Sequence, residues 1–216
     1  MPAPSSILEG LSTISRENEI LAVFWHLYFA GLILGIILGW RPSKRIATIM
    51  LILPLFSVGI LAGIYNNPFN AVSFFLFAVS LALIGLFLPK EKVKRGPLWS
   101  VIAGIIMIFF GWIYPHFLED PSWWNYLYKT PAGLIPCPTL SITIGFALLT
   151  DGLSSRIWPF LFSLIGIFYG LFGFIRLGVD IDIILFIGSL ILLIKAFTES
   201  SEKAVPVHKE KREKIK

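Results

Sequence analysis

The chain has 216 residues, of which 56% are hydrophobic and only 14% charged, with 19 Phe, 7 Trp and 6 Tyr. Soluble domains carry about 25% charge; together with a mean hydropathy of +0.81, this excludes a disordered chain and argues against a water-soluble fold. The formal charge of +5 does not point to nucleic acid, because the basic residues fall in the turns between apolar runs and in the tail, where they orient helices in a bilayer.

Residues 1–19 are polar and mixed, and a short interfacial helix is expected to begin near Ser12–Ser15. They lack the basic and then apolar order of a cleavable signal, so the first apolar segment serves as its own insertion signal. Seven apolar segments follow, at about 20–40, 46–65, 71–88, 98–115, 131–150, 157–175 and 181–197. Each approaches the ~20 residues that cross a ~30 Å hydrocarbon core as a helix. Backbone groups cannot go unpaired in lipid, so an all-α polytopic membrane protein with seven transmembrane helices is predicted. Residues 199–216 form a charged tail, expected to be disordered.

Arg41, Lys44, Arg45, Lys90, Lys92, Lys94, Arg95, Arg156, Lys195 and the five Lys and one Arg of the tail fall on one side if the chain crosses seven times. The other side receives only Arg16, Lys129 and Arg176. The positive-inside rule then puts the N-terminus outside and the C-terminus in the cytoplasm. The longest connection, 116–130, carries Trp123, Trp124, Tyr126 and Tyr128, which suit the headgroup level on the outer side.

Small residues mark packing faces. Gly31, Gly35 and Gly39 recur every fourth residue in the first segment, Gly59 and Gly63 in the second, and Gly166 and Gly170 in the sixth. They predict close helix contact within the monomer, and the first set leaves dimerisation open. The 107-residue offset between Gly59/Gly63 and Gly166/Gly170 would relate spans one to three to spans five to seven as a parallel repeat.

With that topology, most ionisable groups near the apolar segments, apart from the basic inner turns, lie in the outer third. His26 sits about 9 Å below the outer interface. Tyr114 and His116 end span four, Cys137 lies six residues into span five, and Asp180 and Asp182 open span seven. Pro136 and Pro138 bracket Cys137 and are expected to break or kink span five, freeing carbonyls near 132–134. His26, Tyr114, His116, Cys137 and the Thr139 and Ser141 hydroxyls would form an outward-facing site for a small solute or ion. The single cysteine excludes an intrachain disulfide and a multi-cysteine zinc site. No phosphate loop, zinc-protease motif or nucleophile elbow is present, so no catalytic residue, metal or cofactor is assigned.

Three classes of function remain open on the residues alone. The first is a small-solute or ion transporter whose pocket holds His26, Tyr114 and Cys137. The second is an accessory or sensory subunit, with those residues packed and a partner bound through small-residue faces. The third is a membrane metal or haem protein, or an enzyme, using His26, His116 and Cys137.

The run Tyr-Pro-His-Phe-Leu at 114–118, then Tyr126-Leu127-Tyr128 and Gly-Leu-Ile-Pro-Cys-Pro-Thr-Leu at 133–140, resembles an uncharacterised family of bacterial multi-pass membrane proteins, domain of unknown function 6064. The resemblance covers the chain except its charged tail. It implies a protein of the bacterial inner membrane and brings no activity, ligand, cofactor or functional residue with it.

Overall fold

The computed structural model describes residues 3–117 and 122–202, with side chains to residue 198. Leu118 and Glu119 of the long connection, and the charged tail from 203, lie outside the described residues; the backbone at 199–202 is helical. The described residues form an all-α hydrophobic bundle. Helix α1 (Pro4–Glu17) is amphipathic, buries Leu11 and Ile14, and starts well before the expected Ser12. Then come α2 (Glu19–Ile37), α3 (Lys44–Ile64), α4 (Pro68–Phe87) and α5 (Leu98–Trp112). The short α6 (Asn125–Tyr128), α7 (Pro136–Leu149), α8 (Ile157–Leu171) and α9 (Ile183–Glu202) complete the order.

Five apolar segments among the described residues are long enough to cross a membrane: α2, α3, α4, α8 with the turn after it, and Asp180–Thr198. Helices α5 and α7 are shorter, at 15 and 14 residues, or about 23 and 21 Å. The fifth segment is therefore not one long helix interrupted by proline. Ile135 is extended (φ −127°, ψ 161°) and the helix begins at Pro136. Residues before proline favour that conformation. Pro136 and Pro138 then occupy the first turn, where backbone N–H groups have no helical acceptor in any case. The non-helical stretch 130–135 is wholly buried in protein, the circumstance in which irregular backbone is tolerated at membrane depth.

Successive helices run in opposite directions, because their connections meet at two ends. At one end the Lys44 N–H donates to the Glu91 carbonyl (2.9 Å) and the Gly96 N–H to the Leu149 carbonyl (3.0 Å). This basic end carries Arg41, Lys44, Arg45, Lys90, Lys92, Lys94, Arg95 and Arg156. At the other end Lys129 pairs with Glu19 (3.0 Å), and the Asn18 amide donates to the Tyr65 hydroxyl (2.9 Å).

Helix α7 is the axis of the bundle. Every residue from Pro138 to Leu148 is buried against α3, α5, α8 or α9. In lipid, apolar side chains gain little from leaving the bilayer, so close backbone approach and satisfied polar groups hold helices together. Its hydroxyls are tied to carbonyls: Ser141 donates to Met107 (3.0 Å) and Thr143 to Thr139 (2.7 Å). Gly145 of α7 and Gly104 of α5 face each other, and a methyl group on either would come within 2.7 Å of the other's carbonyl oxygen.

The glycine faces divide. Gly59 and Gly63 receive Phe74 and Ala71 of α4, and Gly166 and Gly170 receive Ser189 and Phe186 of α9, so both sets pack within the monomer. The expected face on α2 does not. Among the described residues nothing approaches within 4 Å of a Cβ placed on Gly31, and Gly35 meets only Trp40. Gly39 lies beyond the helix at φ +82°. It closes α2 as a Schellman cap, with Trp40 N–H on the Gly35 carbonyl and Gly39 N–H on the Ile36 carbonyl. Helix α2 instead packs through Trp25, Phe29 and Leu32.

At the basic end, Asp151, Gly152, Leu153 and Ser154 take four consecutive left-handed conformations (φ +56°, +57°, +59° and +47°). Each non-glycine residue there costs roughly 1–2 kcal/mol. The wholly buried Leu153 and an ion pair from Lys195 to Asp151 at 2.6 Å offset that cost. Lys195→Met is expected to destabilise the protein by about 1–2 kcal/mol, below the ~3–5 of a fully buried broken pair because the site reaches the surface. Thermal unfolding in detergent measures this, and an unchanged midpoint would show that the pair does not hold the turn.

Candidate functional site

Two polar clusters lie near the end opposite the basic loops. The first is built on Asp182, in the 3₁₀ turn Asp180–Asp182 that opens α9. Its side chain is wholly buried. The Tyr114 hydroxyl donates to Oδ1 at 2.7 Å and the Cys137 thiol to Oδ2 at 3.1 Å. Among the described residues no cation joins them. Tyr114 follows α5, and Cys137 is the second residue of α7, so one carboxyl ties the ends of three helices together.

A backbone irregularity makes room for that carboxyl. After α8 the chain takes a π-helical turn, Phe172–Arg176, a form that often marks functional sites. Gly173 within it lies directly against Asp182, and a methyl group there would meet the carboxyl carbon at 2.7 Å. The Val179 N–H returns to the Gly173 carbonyl (3.0 Å), closing the loop. Nearby, the Tyr169 hydroxyl donates to Asn70 Oδ1 (2.8 Å), linking α8 to α4.

The second cluster is built on His26, which is 3% exposed. Its Nδ1 lies 2.8 Å from the Ala22 carbonyl, which can only accept, so Nδ1 carries a proton. Its Nε2 lies 2.9 Å from the Thr130 hydroxyl, which also contacts the Trp112 carbonyl. Thr130 has one proton for two acceptors. A second proton on the imidazole would let Nε2 donate to Thr130 while Thr130 donates to Trp112. The Trp112 ring meets His26 edge to face at 4.9 Å between centroids.

The structure thus brings Tyr114 and Cys137 together and places His26 in a separate cluster. His116 is exposed, with its ring against Phe117 at 4.7 Å. The Thr139 hydroxyl accepts from the Gly133 N–H (2.8 Å) and donates to the Ile135 carbonyl (2.7 Å), closing the buried turn before α7. Thr139 and Ser141 are therefore occupied by backbone. Asp182 and Thr130 are the partners that sequence reasoning left out of the site. Asp182 was legible as an acid at the start of an apolar segment; nothing marked Thr130.

A cavity lies away from both clusters. It is an apolar crevice of about 750 Å³ between α2 and α5, and neither His26 nor Cys137 lines it. Among the described residues no three His, Cys, Asp or Glu side chains are grouped to hold a metal ion. The Cys137 thiol has a carboxylate rather than an imidazole as its hydrogen-bond partner.

Comparison of the chain with protein-family models, with curated proteins and with solved structures gives no match.

Proposed function

We propose that the protein crosses a bacterial cytoplasmic membrane seven times, with its N-terminus outside, and is a small transporter in an occluded form that carries protons through Asp182. The unequal distribution of basic residues between the two ends supports the orientation. The motifs around Tyr114 and Cys137 support kinship with domain of unknown function 6064.

The observation that carries the transport reading is the wholly buried Asp182 carboxyl held by a phenol and a thiol. An ionisable group in a membrane bundle is costly and marks ion or proton pathways. When ionised, Asp182 accepts from both Tyr114 and Cys137. When protonated, one oxygen becomes a donor and a poorer acceptor, so the bond at that oxygen weakens or reverses, its partner turning acceptor. Proton uptake therefore loosens the start of α9 from α5 or α7. That step couples protonation to helix movement and needs no permanent aqueous channel.

Purified protein in liposomes under an imposed pH gradient tests this reading, with an internal pH-sensitive dye. Wild type is expected to dissipate the gradient, and Asp182→Asn to remove the flux while preserving the bundle. Wild-type flux no greater than that of empty liposomes would refute it.

A second reading, an accessory subunit, is favoured by the exposed side of α2, where among the described residues nothing lies within 4 Å of a Cβ placed on Gly31. A partner helix seated there would be displaced by Gly31→Leu, which co-purification from the native membrane would detect.

A further inference from the structure

The α2–α5 crevice has apolar walls and a charged mouth. Ile33 and Ile37 form one wall, and Val101, Ile105 and Phe109 the other. From Val101 to Ile113 it follows α5 for about 18 Å. Its volume lies within the roughly 300–1,000 Å³ of ligand sites.

At the basic end the mouth is lined by Trp40, Arg41, Lys94 and Arg95. Two acids of that end pair elsewhere: Glu91 with Lys44 (2.9 Å) and Asp151 with Lys195 (2.6 Å). Among the described residues no carboxylate pairs with Arg41, Lys94 or Arg95. Three cations therefore line one mouth of an apolar slot with no carboxylate partner among the described residues. Trp40 is held there by design of the chain: the Schellman cap at Gly39 turns it back, and the absence of a side chain on Gly35 lets its ring lie against α2. Indole rings favour the headgroup level.

We propose that this crevice binds one anionic glycerophospholipid, with an acyl chain against Ile33, Ile105 and Phe109 and the phosphate among Arg41, Lys94 and Arg95. Charge complementarity selects this occupant. A zwitterionic lipid fills the slot equally well but brings its own cation to the mouth, and a second helix satisfies no guanidinium. Phosphate meets arginine through paired, charge-assisted hydrogen bonds. The site is independent of Asp182 and of any transport activity.

The full-length protein in neutral detergent would be offered equal amounts of phosphatidylglycerol and phosphatidylcholine with identical acyl chains, and bound lipid read by native mass spectrometry. A single phosphatidylglycerol adduct is expected, favoured by roughly tenfold or more given three cations near one headgroup. Combined Arg41→Gln, Lys94→Gln and Arg95→Gln should equalise the two lipids, whereas Lys90→Gln with Lys92→Gln, outside the mouth, should leave the preference. Ile105→Trp, which fills the slot, should remove the adduct while circular dichroism and elution volume stay unchanged. Equal occupancy by both lipids in wild type overturns the proposal whatever the variants do. So does a preference that survives the triple substitution, or a dimer mass that excludes lipid, which would make a second copy the occupant.

Discussion

Gly145→Ala is expected to destabilise the bundle by about 2–3 kcal/mol, the upper part of the usual range for overpacking. The added methyl would lie 2.6 Å from the Gly104 carbonyl oxygen and 2.9 Å from the Ile108 backbone nitrogen. Both are backbone atoms of a helix, so neither can swing aside, and α5 and α7 must separate along their contact. Because α7 is enclosed by protein, that separation opens voids that lipid cannot fill. Gly31→Ala is the control. Among the described residues nothing lies within 4 Å of a Cβ placed there, and alanine is the better helix former by about 1 kcal/mol, so it should be neutral or slightly stabilising. Unfolding in mixed micelles, followed by circular dichroism, measures both. Equal losses at the two glycines would mean that α5 and α7 do not approach as closely as the structure places them.

That contrast shows what spacing in a sequence can and cannot report. Apolar segments near twenty residues, broken by basic turns, made the helical membrane bundle legible because length and depth are one-dimensional quantities. Which way a helix faces is not. Gly31, Gly35 and Gly39 have the same spacing as Gly59 and Gly63, yet only the second set meets another helix. Gly104 and Gly145, a close approach between α5 and α7, lie on different segments and carry no shared motif. The prolines at 136 and 138 read as a break inside a long helix, but the extended Ile135 before them makes them its first turn. In the site, the depth of Tyr114, Cys137 and His26 was legible while their grouping was not. Asp182 selects Tyr114 and Cys137 from 68 and 45 residues away, and His26 turns instead to Thr130, 104 residues along the chain. The room for Asp182 comes from Gly173 in a π-helical turn, a feature of backbone hydrogen bonding that residue types alone do not announce.

Asp182→Ala is expected to lower stability by about 3 kcal/mol, since a buried hydroxyl donor left without an acceptor costs roughly 1–3 kcal/mol and the lost carboxyl leaves a void beside Gly173. Tyr114→Phe should cost about 2 kcal/mol, the value of a hydrogen bond to a charged group. The informative quantity is the double variant. Once Asp182 is gone, the Tyr114 hydroxyl has nothing to donate to and removing it should cost little, so the two losses should fall short of additivity by about 1–2 kcal/mol, as for residues in direct contact. Tyr114 with Lys195, a residue of α9 at the opposite end of the bundle, should instead be additive within about 0.5 kcal/mol. The same cycle with Cys137→Ala in place of Tyr114→Phe should give a smaller coupling, because a thiol is the weaker donor. Additive losses for Tyr114 and Asp182 would mean that the phenol and carboxyl do not share a proton in the folded protein. The transport reading would then lose the switch between two bonding states on which it depends, even if the helices were arranged as described.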